Sequence, residues 1–316
     1  MSFSSDTKNE ISRDNKLKAC CNIAEIAGII KSSGSIILAG KGEVGILVST
    51  ENPAVARHVK TLFSEQFHVD SSIKILKPEF RHNKHVYEIS VTDPTGAKRI
   101  LFATGIMSKE DGLNVINDNF SDSIMKKKCC RKACLKGLFL GAGSISNPEK
   151  DYSFEIRFAK ETVANAARRL INSFEDIHAK KKERRGSYVV YIKDSEQIKD
   201  ILNIVGAHTQ LLQYENVRVI KSMRNKTNRI NNFDNANYDR TTSAADKQVQ
   251  DITQIANTVG LDELSQKLLD IALARLNHPD ASLNELGEMM SPKIKKSAVQ
   301  ARMKAIANFA INIEHK

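Results

Sequence analysis

The stretch AEIAGIIKSSGSI, residues 24–36, returns at 133–145 as ACLKGLFLGAGSI. One constant offset of 109 carries Cys20 onto Cys129, Cys21 onto Cys130, Ala24 onto Ala133 and Gly28 onto Gly137. It then carries Gly34, Ser35 and Ile36 onto Gly143, Ser144 and Ile145, with Ile26 and Ile29 meeting Leu135 and Leu138. Identities this dense in an ungapped register mark an internal duplication. No other feature limits the fold as much, because one unit must be built twice and the two copies must pack together.

The segments downstream of the two copies are also alike. After the first come the strand-like runs SIILAG and EVGILVST, a helical pattern over about 53–67, the strands SSIKILK and KHVYEISV, and a helix near 98–106. After the second come YSFEIRFA, a helix over about 161–175, strands on either side of the KKERRG turn, and a helix over 195–205. Each unit reads α-β-β-α-β-β-α, with β-branched alternation in the strands. The expected fold is α+β. Repeat 1 (about 18–110) and repeat 2 (about 127–207) form one pseudo-twofold domain over 1–207, a helical basic linker covers 208–258, and a second all-α domain covers 259–316. Within the linker the run RINNFDNANYDR reads as an Asn-rich break.

A formal charge of +11 and a pI near 9.3 point to a polyanionic partner, nucleic acid first and a membrane surface second. A merely lysine-rich soluble surface is the plain alternative. No apolar run reaches the length of a membrane span, and the polar N-terminus MSFSSDTKNEISRDNK has no signal-peptide core. The five cysteines lack C-x-x-C spacing, which suits a reducing cytosol better than a disulfide framework. Cys20, Cys21, Cys129 and Cys130 come near one another if the repeats face across a dyad. Their adjacency argues for buried thiols over a metal cluster. Tryptophan is absent and aromatics make up 6%, which weakens any base-stacking mode.

The twin helices resemble the LAGLIDADG motif, which single-chain homing endonucleases carry twice. The resemblance implies two helices side by side along a pseudo-dyad, each delivering an acid to the floor of a DNA-binding saddle. Such acids would hold divalent cations against the attacking and leaving oxygens of a phosphodiester. At the acid positions this chain has Ser33 and Ala142. A hydroxyl is a poor anchor for Mg²⁺ and a methyl group is none, so the expectation is no catalytic residue, no metal and no cofactor. Glu25 lies too early in its helix to stand in, and Glu149 and Asp151 fall in a turn after the second exit. An endonuclease or splicing maturase with displaced acids is the rival reading, and a protein-interaction scaffold for cell division is a third.

The C-terminal region reads as helix, turn, short helix, turn, helix. A helix over 265–276 precedes an S-x-x-E capping box at Ser282 and Glu285, which opens SLNELGEMM; Ser291-Pro292 ends that helix. An S-x-x-Q pair at Ser297 and Gln300 marks the start of the third helix. Periodicity sends Val299, Met303, Ile306 and Ala310 inward, and leaves Ser297, Gln300, Ala301, Lys304 and Asn308 outside with Arg302 on the flank. Gln and Arg suit base edges; Lys293, Lys295 and Lys296 suit phosphates, and no acid occurs from 292 to 313. The alternative is a helical oligomerisation domain with a solvated basic face. In the linker, Arg218, Lys221, Asn225 and Arg229 share one helix side and Val219, Ile220, Met223 and Ile230 the other. That stripe suits either a phosphate backbone or an ordinary surface helix.

The combination of KKKCCRKACLKGLFLGAGSISNPEK, NVRVIKSMRNKTNRINNFDNAN and ASLNELGEMM with KKSAVQARMKAI resembles the WhiA family of bacterial sporulation and cell-division regulators. The likeness covers nearly the whole chain. It implies a cytoplasmic, nucleoid-associated transcriptional regulator that binds double-stranded promoter DNA and has no nuclease activity. It leaves room for a second partner, another transcription factor or RNA polymerase. The family pattern has Gly after the K-S of the recognition helix, then Asn and His; Ala298, Gln300 and Ala301 stand there, and Phe233 replaces a linker Cys. The family's DNA target therefore does not carry over.

Overall fold

The computed structural model describes residues 2–13, 18–38, 43–77 and 85–314. The described chain falls into two compact units that divide between Lys221 and Ser222. In chain order the N-terminal unit contains α1 (Phe3–Ile11), α2 (Ala19–Ser33), β1 (Gly34–Leu38), β2 (Val44–Thr50), α3 (Pro53–Phe67), β3 (Ser72–Leu76), β4 (Val86–Val91) and α4 (Pro94–Ala103). A hairpin β5 (Met107–Glu110) and β6 (Leu113–Ile116) and the short α5 (Asp122–Lys126) come next. The second copy is α6 (Lys128–Ala142), β7 (Gly143–Ile145), β8 (Phe154–Phe158), α7 (Glu161–Ile171), β9 (Lys180–Arg184), β10 (Ser187–Ile192) and α8 (Ser195–Val205). Beyond it lies α9 (His208–Thr258), whose first part belongs to this unit. The C-terminal unit holds the rest of α9, α10 (Gln266–Asn277), α11 (Leu283–Met289) and α12 (Lys296–Glu314).

Both copies have the expected α-β-β-α-β-β-α order. Their antiparallel sheets also share one topology, β1-β2-β4-β3 and β7-β8-β10-β9. Corresponding strands pair alike: Ile46 stands opposite Val91 in the first sheet, and Ile156 opposite Val190 in the second. These four side chains are buried on the face that meets the helices. Alternation along each strand leaves the other face partly solvated.

The centre of the unit is the pair α2 and α6, buried along most of their length. In α2 every residue from Ala24 to Ile30 is buried, and in α6 every residue from Ala133 to Leu140. Apart from Glu25 and Lys136, which pair with each other, these stretches are apolar all round, and such a helix has to be enclosed by protein. The two approach so closely because of two glycines. A Cβ on Gly28 would stand 2.3 Å from the Cys134 carbonyl oxygen, and one on Gly137 would stand 2.1 Å from that of Glu25. At the exits Gly34 and Gly143 turn the chain directly from helix into strand.

Side-chain caps set several boundaries. Asn52 and Asp93 accept from the first free N–H groups of α3 and α4, each of which has proline in its first turn, and Asp194 does the same for α8. The Asp93 cap moves α4 earlier than the 98–106 expected, and α7 stops at Ile171 because the chain turns there. Three elements were not anticipated: α1, the β5–β6 hairpin and α5. The α1 helix reads as polar, yet Thr7 and Ile11 are buried and Glu10 caps α9 by accepting from the Thr209 and Gln210 N–H groups at 2.6 and 2.9 Å.

The Asn-rich stretch expected to break the helix does not: α9 runs through it without interruption. Asparagine costs about 0.6 kcal/mol per residue relative to alanine, far less than the roughly 3 kcal/mol of proline. Neither proline nor glycine occurs between 208 and 258.

The C-terminal unit has its own core of Ile252, Ile255, Leu264, Ile271, Ala272, Leu286, Val299, Met303, Ile306 and Ala310. The Ser282–Glu285 capping box forms with both of its hydrogen bonds. The second expected box does not open α12, because that helix begins at Lys296; the Lys295 carbonyl accepts from Ala298 and Val299, and Ser297 lies within the first turn. Gly287 lets the segment that joins α11 to α12 pass close against α11, since a Cβ there would stand 2.3 Å from the Ile294 carbonyl oxygen.

Candidate nucleic-acid interface

The exits of α2 and α6 open on a cleft lined by Ser32, Ser33, Glu51, Ala142, Glu155 and Arg157 among others. The Ser33 hydroxyl points back at its own helix, donating to the Ile29 carbonyl at 3.1 Å, and Ser32 does likewise to Gly28 at 2.8 Å. Ala142 offers no ligand. The carboxylates of this cleft come from the β2 end and from β8. Sequence reasoning missed both, because only the fold brings strand residues to the helix exits. Glu155 faces Lys182 at 3.6 Å. Neither helix exit itself supplies a carboxylate, because Ser33 and Ala142 stand there.

None of the acids considered as substitutes reaches the exits. Glu25 is fully buried, with His58 Nε2 at 2.7 Å and Lys136 Nζ at 3.2 Å from its Oε1. It is eight residues, or about 12 Å, back along α2 from Ser33. Glu149 and Asp151 are exposed in the turn between β7 and β8.

The linker residues divide. Arg218 is half-buried and pairs with Glu215 at 2.8 Å and with Glu196, whose carboxyl is held down to about 2 by hydrogen bonds from Arg218 and Lys199. Lys221 donates to the Pro148 carbonyl at 3.2 Å and lies 4.7 Å from the centroid of the Tyr152 ring. Both cations therefore fasten α9 within the N-terminal unit. Arg229 is exposed. The apolar side of the stripe, Val219, Ile220, Met223 and Ile230, is exposed as well.

In the C-terminal unit α12 has the two faces that periodicity predicts. Val299, Met303, Ile306 and Ala310 are buried. Ser297, Gln300, Ala301, Lys304 and Asn308 are exposed and form one stripe, with Lys295 and Lys296 at its head. Arg302 sits half-buried on the flank, donating to the Lys267 carbonyl at 3.4 Å. Lys293 is exposed and pairs with Glu288 at 2.5 Å. The stripe can hydrogen-bond a polar surface along about three turns of helix and meets it with positive charge.

At the opposite, entry end of α2 and α6 the packing assembles a further group. The Sγ atoms of Cys20, Cys21, Cys129 and Cys130 all lie within 4.8 Å of one another. Cys21 and Cys130 are buried, Cys20 is half-buried and Cys129 is exposed. Burial pushes the Cys21 and Cys130 thiols up, while a hydrogen bond from Cys21 lowers that of Cys129. Neither pair alone has the spacing of a ligand set; four ligands result only when the two helices pack.

Three domain families match in order along the chain: the WhiA N-terminal LAGLIDADG-like domain over 19–107, the WhiA LAGLIDADG-like domain over 131–224, and the WhiA C-terminal HTH domain over 227–310. The probable cell division protein WhiA of Alkaliphilus metalliredigens (strain QYMF) is 40% identical over 310 residues, 98% of each chain. The crystal structure of full-length DUF199/WhiA from Thermatoga maritima is similar with a TM-score of 0.61 at 25% identity, over 99% of each chain. That of the N-terminal LAGLIDADG domain of DUF199/WhiA is similar in fold, with a TM-score of 0.50 at 23% identity over 65% of this chain and 90% of that one. Among the described residues no helix is long and apolar enough to cross a membrane. Matched in all three domains and at 40% identity along nearly its whole length, the chain belongs to the WhiA family.

Proposed function

We propose that the protein is a transcriptional regulator that binds double-stranded promoter DNA and does not cut it. The observation that carries this reading is the open stripe of α12, polar and basic, on a helix whose other face is locked into the C-terminal core. Lys295, Lys296 and Lys304 grip phosphates, with Lys293 joining them once it exchanges Glu288 for DNA, and Ser297 and Ala301 lie against the groove wall. Gln300 and Arg302 read base edges, an adenine and a guanine being the partners their geometry favours. Arg229 extends the phosphate contact, while Arg218 and Lys221 support it by holding α9. The relatives' name, probable cell division protein, suggests that the regulated genes serve cell division, sporulation or chromosome segregation. A second protein partner, another transcription factor or RNA polymerase, and association with the nucleoid are expected on the same reading. The absence of a carboxylate at Ser33 and Ala142 supports the non-catalytic half.

Genome-wide mapping of bound DNA supplies the target, and fluorescence anisotropy on a recovered fragment tests the mechanism. If about six phosphates are neutralised, affinity falls roughly a thousandfold between 50 and 200 mM salt. Gln300→Ala and Arg302→Ala each weaken the target by about 1–3 kcal/mol while leaving random-sequence binding nearly unchanged. A flat salt dependence defeats the electrostatic half, and unchanged occupancy in both variants defeats the readout. Magnesium-dependent nicking of a plasmid favours the endonuclease alternative.

A further inference from the structure

We infer that Cys20, Cys21, Cys129 and Cys130 form a tetrathiolate site for one thiophilic divalent cation, zinc, which ties the two halves of the N-terminal unit together at the entry end of the central helices. The geometry fits first. Four thiolates around zinc at about 2.3 Å stand about 3.8 Å apart along the edges of a tetrahedron. The four sulfurs here already lie within 4.8 Å of one another. Closing that difference takes side-chain rotation, because each pair sits on the first turn of its helix.

The electrostatics fit as well. Lys18 and Lys127 precede α2 and α6 and offer no side-chain cap, so two uncapped helix N-termini converge on the cluster. Free N–H groups and the positive end of each helix favour thiolate over thiol. Lys126, Lys127, Lys128, Arg131 and Lys132 adjoin one pair in sequence and Lys18 the other. No acid occurs between Asp14 and Glu25 or between Asp122 and Glu149. Binding would exchange four thiol protons for one Zn²⁺, leaving a centre of net charge −2 in this basic surround and releasing four protons to solvent. The burial that disfavours free thiolates at Cys21 and Cys130 is then offset by the cation.

A disulfide is the competing chemistry. Two disulfides could use the same four sulfurs, but forming them takes a four-electron oxidant that the chain does not supply, and all four thiols are free here. This site is also separate from the exits: Cys21 and Ser33 are twelve residues, or about 18 Å, apart along α2. The cation is structural, since four protein ligands leave no open position for a substrate.

The full-length chain, purified under reducing, chelator-free conditions from zinc-supplemented cells, should contain one zinc per chain by elemental analysis. The reduced, metal-free chain titrated with Co²⁺ alone should develop sulfur-to-cobalt charge-transfer absorption and the intense visible bands of a tetrahedral centre, saturating at one equivalent. The double variant Cys20→Ser, Cys129→Ser changes the two accessible ligands and should lose those bands while keeping its far-ultraviolet dichroism. Cys134→Ala, at a buried thiol outside the cluster, should keep them. Zinc removal should lower the thermal midpoint of the wild-type chain, and readdition should restore it. If the reduced wild-type chain, with all its thiols free, gives no thiolate absorption with cobalt, the proposal is overturned whatever the variants do. Bands that survive in the double variant, or a cross-helix disulfide in zinc-free protein prepared anaerobically, overturn it too.

Discussion

Gly137→Ala tests the close approach of α2 and α6 most directly. Two effects oppose each other. Alanine is the better helix former by about 1 kcal/mol in a helix interior. Against that, its Cβ would stand 2.1 Å from the Glu25 carbonyl oxygen and 2.9 Å from the carbonyl carbon. Both atoms are backbone, so relief requires α2 and α6 to part by about 1 Å, at the upper end of the roughly 1–3 kcal/mol typical of overpacking. The steric effect wins, and a net loss of about 2 kcal/mol is expected. For a unit of this size that lowers the thermal midpoint by about 4–8 °C. Gly28→Ala, facing Cys134 at 2.3 Å, should behave alike. The double variant should lose less than the sum, because helices already parted for one methyl accommodate the second. Gly186→Ala is the control: its φ is +71° and nothing lies within 4 Å, so it incurs only the left-handed backbone penalty of about 1–2 kcal/mol. Calorimetry on the four variants decides. A Gly137→Ala protein more stable than wild type, or strict additivity in the double variant, refutes the close-packing account.

The same structure sets three further expected outcomes. Glu25→Ala removes the carboxylate facing Lys136 and His58 and should cost about 3–5 kcal/mol in urea unfolding, the usual result of breaking a buried pair; a loss under 1 kcal/mol contradicts the assignment. Burial lowers the Lys31 pKa from 10.5 to about 8, so its charged form is disfavoured in the folded chain. The penalty is full below pH 8 and gone above pH 10.5. The stability of Lys31→Met relative to wild type should therefore be greatest near pH 7 and decline as pH rises through that window, and a pH-independent difference rules the effect out. Ser282→Ala deletes the capping box of α11 and should destabilise the C-terminal unit by about 1 kcal/mol, read from its own unfolding transition.

The repeat at offset 109 made half of the architecture legible, since two copies of one pattern imply two copies of one unit. Strand alternation and helical spacing located α3 and α8 to the residue, because Asn52-Pro53 and Asp194 with Gly206 carry their own boundary chemistry. The α1 helix stayed hidden because its burial is long-range: a polar segment becomes structural only when Glu10 meets the start of α9. The Asn-rich stretch misled because Asn weakens a helix by tenths of a kilocalorie, and only Gly or Pro would have interrupted α9. Of the proposed DNA-binding residues, those on α12 came from one helix's periodicity. Glu215, three residues before Arg218, is a local signal that this cation is paired, but nothing local signals how Arg218 and Lys221 anchor α9, since Glu196, Pro148 and Tyr152 come from other elements.

By itself the sequence determined what each segment could become: a doubled α+β unit, helix exits without carboxylates, and a C-terminal helix with one apolar and one basic side. Those properties depend on residue type and short-range spacing, which the chain carries before it folds. Only the tertiary structure decided which groups meet. It buried Glu25 with Lys136 and His58, engaged Arg218 and Lys221 in anchoring α9, and brought four cysteines from two distant helices within 4.8 Å. The physical reason is that electrostatic pairing and ligand geometry act over a few ångströms of space, and packing sets those distances between residues about a hundred positions apart.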